Sequence, residues 1–279
     1  VLDKIGFDEA RLKELNPELI VGSVNGYGST GPYIDRPSFD FIAQAMSGFM
    51  SLTGEIEGEP MRAAPPIADL IAGLYCAFGV VTAIAARNRT GEGQYVEASL
   101  NNSLISLMAF LSAEYFATGK PPARSGNNHA IVAPYGMFKA KDGAIAVAPS
   151  NEAYAIRFLD AVGLGELLED KRFRTNADRM RNRSELLVII DAATEKETVD
   201  HWIETINAAG CPCGRVMTLD EVFEDPQVRA TEMVLDVDHG DHGSIRMTGF
   251  PVKMSKTPTR IHRPAPDLGQ HNDEFFGED

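Results

Sequence analysis

Cysteine, tryptophan and clustered positive charge are what this 279-residue sequence has least of. Three cysteines, Cys76, Cys211 and Cys213, are too few for a disulfide framework. A reducing, cytoplasmic location is therefore the expectation. Basic side chains number 26 against 40 acidic ones, and the formal net charge is −14. That balance argues against nucleic acid as a partner, because phosphate backbones are held by clustered Lys and Arg. No secretory leader is visible. No apolar run reads as a membrane span: the longest, Ile67–Ala86, carries Asp69 and two glycines and follows a Pro-Pro pair. A nucleophile elbow (G-x-S-x-G) and a P-loop are both missing. The chain opens on Val1 rather than an initiator methionine, and Val1-Leu2-Asp3-Lys4 has no helix start, so it is expected to be part of something longer.

What remains is an ordinary globular composition, 44% hydrophobic and 24% charged, with length enough for two domains. Asp8 to Leu15 reads as a short amphipathic helix closed by Asn16-Pro17. Leu19–Val24 is a β-branched apolar run, expected to be a strand buried on both faces. Gly26-Tyr27-Gly28-Ser29-Thr30-Gly31 behind it matches G-x-G-x-x-G, but Pro32 and Pro37 follow and no helical pattern begins before Phe39. The dinucleotide fingerprint needs a helix opening directly on its glycines, so a wide turn is the better reading. Phe39–Leu52, Ile67–Arg87 and Leu104–Thr118 are expected helices, and Gln94–Leu100 an expected strand. Residues 1–118 thus alternate β and α, as in a doubly wound α/β layer structure. A Pro/Gly/Asn linker, Gly119–Asn128, marks a domain boundary. Lys141-Asp142-Gly143 between two apolar runs signals a hairpin, and helices are expected at Glu152–Val162, Arg183–Thr194 and Val199–Ala209. Asp225-Pro226-Gln227 looks like a second boundary, ahead of strand-like runs at Met233–Val237 and Ser244–Met247 and a Pro-rich strap, Pro258–Pro266.

One residue stands out chemically. Asp69 is the single charge from Ile67 to Ala86, in a helix that reads as apolar on all sides and is therefore expected to be buried. It lies just inside the Pro65-Pro66 start, where proline is tolerated because the first N–H groups have no partner anyway. An acidic residue in a first helical turn is ordinarily favoured by the free N–H groups and the helix dipole. The same position can also hold a reactive carboxylate in an electropositive, poorly hydrated spot. His239 and His242, on a Gly/Asp turn without a third ligand nearby, read as a solvated hairpin rather than a metal site. Cys211-Pro212-Cys213, within an expected turn over Gly210–Gly214, lacks the second cysteine pair that zinc or redox chemistry would want. Composition and spacing leave both readings of Asp69 open.

Several segments together resemble the class III CoA-transferases, the CaiB/BaiF family that includes formyl-CoA and crotonobetainyl-CoA transferases. They are Leu15–Ile20, Gly26–Tyr33 with Arg36–Asp40, Gly48–Gly54 running into Ile67-Ala68-Asp69, and Arg89–Gln94. Gly126-Asn127 with Pro134-Tyr135, Gly210–Gly214, Asp225–Val228 and Leu268–His271 complete the set in the family's order. The resemblance implies an α/β fold. A Rossmann-like large domain would be built from both chain ends, residues 1–118 and 228–279. Residues 119–227 would supply the linker and a smaller α+β domain. Family members are longer at the N-terminus, where further βαβ units supply much of the CoA pocket, and they form an interlocked homodimer.

The resemblance also assigns roles. Asp69 would be the nucleophile, attacking an acyl-CoA thioester to give a mixed anhydride and then an aspartyl-CoA thioester. Arg36, Pro37, Ser38, Phe39 and Asp40 would contact coenzyme A, the substrate, and Ser125, Gly126, Asn127, Asn128 and His129 would form a flap over the intermediate. Acyl-CoA and a small carboxylic acid would be the partners, with no covalently bound cofactor and no metal. The fold also includes α-methylacyl-CoA racemases, whose histidine lies thirty positions before the aspartate. Here that position is Phe39, and a phenyl ring cannot act as acid or base. A catalytically silent fragment or interaction partner is the third possibility.

Overall fold

The structure is a computed structural model that describes residues 2–277; Val1, Glu278 and Asp279 lie outside the described residues. The Asp8 carboxylate accepts the Arg11 N–H at 2.8 Å and so starts α1 (Glu9–Leu15). Strand β1 (Val21–Asn25) follows, then the glycine loop, then α2 (Asp40–Met46). The expected helix over 39–52 is split: Gly48 sits at φ +88°, and the chain restarts as α3 (Phe49–Leu52). Helix α4 (Ile67–Thr90) runs unbroken for 24 residues and stops at Gly91, φ +74°. Strand β2 (Tyr95–Ser99) then pairs in parallel with β1, from Val21 opposite Tyr95 to Asn25 opposite Ser99. The expected helix at 104–118 is longer and broken at Ala109 (φ +45°) into α5 (Leu100–Leu107) and α6 (Ala109–Thr118).

The β1–α4–β2 crossover fixes where a site can lie. Arg87, near the end of α4, donates to the Glu18 carbonyl just before β1. A Cβ on Gly22 would come within 3.1 Å of Cys76 and Val80, so the middle of α4 lies on β1. On Gly79 a Cβ would stand 2.5 Å from Val96, placing the helix directly on β2. The helix therefore runs antiparallel to the strands, with its N-terminus toward their carboxyl ends. From the Gly22 level, Asp69 lies about 10 Å further along the helix and Asn25 about 10 Å further along the strand, from the rises per residue. The start of α4 is thus level with the strand ends, where open α/β sheets bind ligands.

Two burial expectations fail here. Strand β1 alternates half-buried and exposed residues instead of being buried on both faces, because the sheet has two strands and α4 covers one side. Helix α4 is not buried all round either. Ala68, Ala72 and Ala83 are buried, while Leu70, Leu74, Phe78 and Val81 are 59–71% exposed. Its small residues face the sheet, α2 and α5, and the large ones form an apolar stripe on the outside. By length and composition the helix could cross a membrane, but the glycine-mediated contacts with both strands make it a layer of this domain.

The middle of the chain forms a separate core. Strands β3 (Gly136–Ala140) and β4 (Gly143–Val147) make the expected hairpin. Helices α7 (Glu152–Ala161), α8 (Asn176–Arg181), α9 (Arg183–Thr194) and α10 (Val199–Ala208) follow. Strand β5 (Cys213–Arg215) joins the edge of β4, converting the expected turn at 211–214 into an antiparallel third strand. Phe138, Ile145, Phe158, Leu186, Ile190 and Ile206 are fully buried between this sheet and its helices. Two short helices meet at Asp225-Pro226-Gln227: α11 (Leu219–Glu224) runs up to Asp225, which caps α12 (Pro226–Ala230) by accepting from Gln227 and Val228. Strands β6 (Val234–Asp238) and β7 (Ser244–Thr248) pair with each other as a two-stranded sheet, and a short α13 (Asn272–Phe276) follows the strap. His242 Nε2 donates to the Asp267 carboxylate at 2.9 Å, tying the hairpin to the strap.

Arg179 is 1% exposed and locks the small domain together. Its guanidinium reaches the Ala133 carbonyl (2.6 Å), the Phe173 carbonyl (3.1 Å) and both Glu152 oxygens (3.0 and 2.6 Å). Truncation would orphan buried carbonyls as well as the ion pair, so Arg179→Met should destabilise this domain by about 3 kcal/mol. A urea titration followed through Trp202 checks this, since the sole tryptophan is 6% exposed in the same core.

Candidate active site

Asp69 sits in the first turn of α4, behind Pro66 at the N-cap. A proline side chain has no acceptor, so the helix cannot cap itself in the usual way. Pro65 O accepts the Ile67 N–H at 2.8 Å, and the next amide, Ala68, donates to Asp40 Oδ1 at 2.9 Å. The cap is therefore supplied by another helix. Asp40 itself is 7% exposed, and its second oxygen accepts from Gln44 Nε2 at 2.7 Å. Gln44, fully buried one turn along α2, accepts the Ala63 N–H through Oε1 at 2.8 Å. Both ends of the segment Ala63–Ala68 are thereby held from α2.

The Asp69 side chain is exposed in this chain. The charge beside it is Asp40, of the same sign. Its carboxyl titrates above the ordinary value, first from partial loss of hydration and second from the Asp40 charge. Among the described residues it makes no ion pair and no side-chain hydrogen bond, so both oxygens are free to react. The larger clefts lie elsewhere, about 460 Å³ between β6 and the Pro-rich strap and about 470 Å³ on the small domain. Asp69 lines neither.

The expected CoA-contacting residues gather at the same end of the sheet but do different things. Arg36 lies 3.8 Å over the Tyr33 ring, and Tyr33 meets Tyr27 edge-on in the glycine loop. Ser38 packs so close to Gly26 that a Cβ there would stand 2.5 Å from its own. Pro37 links these two, and Phe39, 80% exposed, is the residue before α2. Asp40 has both oxygens engaged inside the fold, by Ala68 N–H and Gln44 Nε2. The glycine loop is fixed from β2, where Glu97 accepts from Asn25 (2.9 Å) and from the Ser29 N–H (3.0 Å).

The flap residues form a bracketed loop. A turn closes from Asn128 N–H to Ser125 O at 2.9 Å around Gly126, φ +58°. Before it, Arg124 donates to the carbonyls of Glu55 (3.1 Å) and Gly58, in the acidic loop that leads to Ala63. After it, His129 stacks on Phe110 and packs against Tyr135. Asn127 reaches Met137 and lines the small-domain cleft with Cys213. The Cys211 and Cys213 thiols are both pushed up to about 11, chiefly by burial, so neither is a thiolate at neutral pH. The flap root and the Asp69 segment thus share one loop, residues 53–61, pinned where Met61 N–H meets Thr53 O.

Gln44, Glu97 and Arg124 were not singled out in the sequence. The available signal for Gln44 is a polar residue four places after Asp40 on an otherwise apolar helix face. Because Asp69 is held above its ordinary titration point, its ionised form is the costly one in the folded state. The associated stability is present at low pH and is lost as pH rises through the folded-state titration. Asp69→Asn should therefore melt at a higher temperature than wild type at pH 7. That advantage should vanish under acidic conditions where the aspartic acid is protonated, as thermal scans at the two pH values would show.

Comparison with known proteins identifies the family. The family model described as CoA-transferase family III matches residues 1–272. The succinate–glutarate CoA-transferase of Agrobacterium fabrum is 35% identical over 277 residues, covering 99% of this chain and 69% of its own. The acetyl-CoA:oxalate CoA-transferase of Acetobacter aceti is 35% identical over 272 residues, covering 97% and 69%. A crystal structure of a CaiB/BaiF family protein from Brucella suis superimposes with a TM-score of 0.83 at 34% identity, covering 98% of this chain and 71% of that one. The chain spans a little over two thirds of the length of these relatives. It belongs to the family III CoA-transferases, with their mixed α/β fold.

Proposed function

We propose that this chain moves CoA from an acyl-CoA to a carboxylic acid by way of a covalent intermediate on Asp69. The observation that carries the reading is a carboxylate without internal partners at the start of α4, level with the strand ends. An Asp69 oxygen attacks the thioester carbonyl and expels the CoA thiolate, leaving a mixed anhydride. The thiolate then attacks the Asp69 carbonyl of that anhydride, releasing the donor acid and forming an aspartyl-CoA thioester. An acceptor carboxylate attacks this thioester, and the same two steps run in reverse to give the new acyl-CoA and free Asp69. A carboxylate suits this because anhydride formation is readily reversible. The N-terminal end of a helix favours the negative charge that develops at each addition.

Relatives named for succinyl, glutarate and oxalate transfer make short dicarboxylic acids the substrates to expect. The working unit is an interlocked homodimer, in which the exposed stripe Leu70, Leu74, Phe78 and Val81 would be covered. The reducing setting suggested by three free cysteines fits a cytoplasmic enzyme. Arg36, Ser38 and Phe39 stand where CoA would approach, and Gly126–His129 would close over the intermediate.

In the intact protein, succinyl-CoA offered with glutarate or oxalate should yield the acceptor's CoA ester, followed by chromatography of the CoA species. Asp69→Ala and Asp69→Asn should each lower kcat by at least about a thousandfold, since both remove the carboxylate that this reading makes the nucleophile. Transfer that survives either change at near wild-type rate would remove Asp69 from the mechanism.

A further inference from the structure

A buried carboxylate without a cation is costly to keep, and Asp40 is one. It is 7% exposed, and what compensates it is hydrogen bonding: Ala68 N–H on one oxygen and Gln44 Nε2 on the other. Gln44, at 0% exposure, passes the contact on to Ala63 N–H. The segment between these two points contains Pro65 and Pro66, whose φ angles are fixed by their rings. A short segment with two locked φ angles, fastened at both ends to one turn of α2, has little freedom left. The residue after its second fastening point is Asp69.

We propose that Asp40 and Gln44 are a positioning pair for Asp69, setting where its carboxylate stands relative to the bound thioester while touching neither substrate. The inference rests on the nucleophile reading given above. It explains why an acidic group lies beside a reactive carboxylate that it repels. Asp40 caps the amide that Pro66 cannot cap, and so leaves the Asp69 side chain out of capping and free to react. In most helices with an acidic first turn, the acid is engaged with the free amides.

The pair can be tested by moving its charge without losing its bonds. In Asp40→Asn the amide oxygen still accepts from Ala68, but its NH2 faces the Gln44 NH2. If Gln44 turns its amide to relieve this, it points a donor at Ala63 N–H, so one fastening point is lost either way. Adding Gln44→Glu restores every donor and acceptor, with the new carboxylate accepting from both the asparagine NH2 and Ala63.

Steady-state assays of the intact protein should show Asp40→Asn lowering kcat at least about tenfold while KM for the acyl-CoA stays within about threefold. The double variant D40N/Q44E should recover kcat to within about threefold of wild type. A loss confined to KM would make Asp40 a CoA contact and overturn the proposal, as would unchanged kcat in the single variant. If the single variant does not fold, the double variant decides: folded and active supports the pair. Folded but inactive, or unfolded, overturns it. Asp69→Asn measured alongside separates the two levels. Inactive Asp69→Asn beside fully active Asp40→Asn would fault the positioning pair alone, whereas active Asp69→Asn would fault the nucleophile reading itself.

Discussion

The hydrogen bond from Ala68 N–H to the Asp40 carboxylate is the contact on which the site depends. A long apolar helix that begins at two prolines has orphan amides and no side chain of its own to satisfy them. Capping from α2 solves that and does three further things. It joins α2 to α4, it fixes the direction in which α4 starts, and it frees the acid in the first turn from structural duty. A negative charge is buried to do so; with partial loss of hydration as the larger cause, its repulsion adds to what keeps Asp69 above the ordinary carboxylate titration point.

The crossover geometry gives this local arrangement its meaning. Since α4 runs against the strands, its start meets the glycine loop after β1 and the residues Arg36–Phe39 at one end of the sheet. Arg124 then brings the root of the flap to the loop leading into the Asp69 segment. The glycine loop, Arg36–Asp40 and the start of α4 thereby share one end of the sheet, with the flap root fastened to the loop that leads into it. The same helix leaves its large apolar side chains outward, so the surface next to the site is itself built for burial.

Much of this was legible in the sequence. Periodicity and turn residues located the strands, the hairpin at Lys141–Gly143 and most helices, and the ordered set of motifs identified the family. What the sequence misjudged were features decided by tertiary contacts. Gly48 and Ala109 divide helices whose apolar pattern continues through them. Leu70, Leu74 and Phe78 look like core residues because apolarity alone does not record whether a side chain is covered within its own domain. Asp40 lies among motif residues, and nothing in the sequence shows its bond to an amide 28 residues away. Cys213 belonged to an apparent turn until β4 offered it an edge to pair with.

Chemical trapping tests the central claim most directly. The intact protein is incubated with an acyl-CoA and hydroxylamine, digested, and its peptides are mapped by mass spectrometry. An acylated or thioesterified aspartate is converted to a hydroxamate, and the modification should appear on Asp69, only when acyl-CoA is present. A protein that transfers CoA while its Asp69 peptide stays unmodified, or that carries the hydroxamate on another carboxylate, would contradict the account.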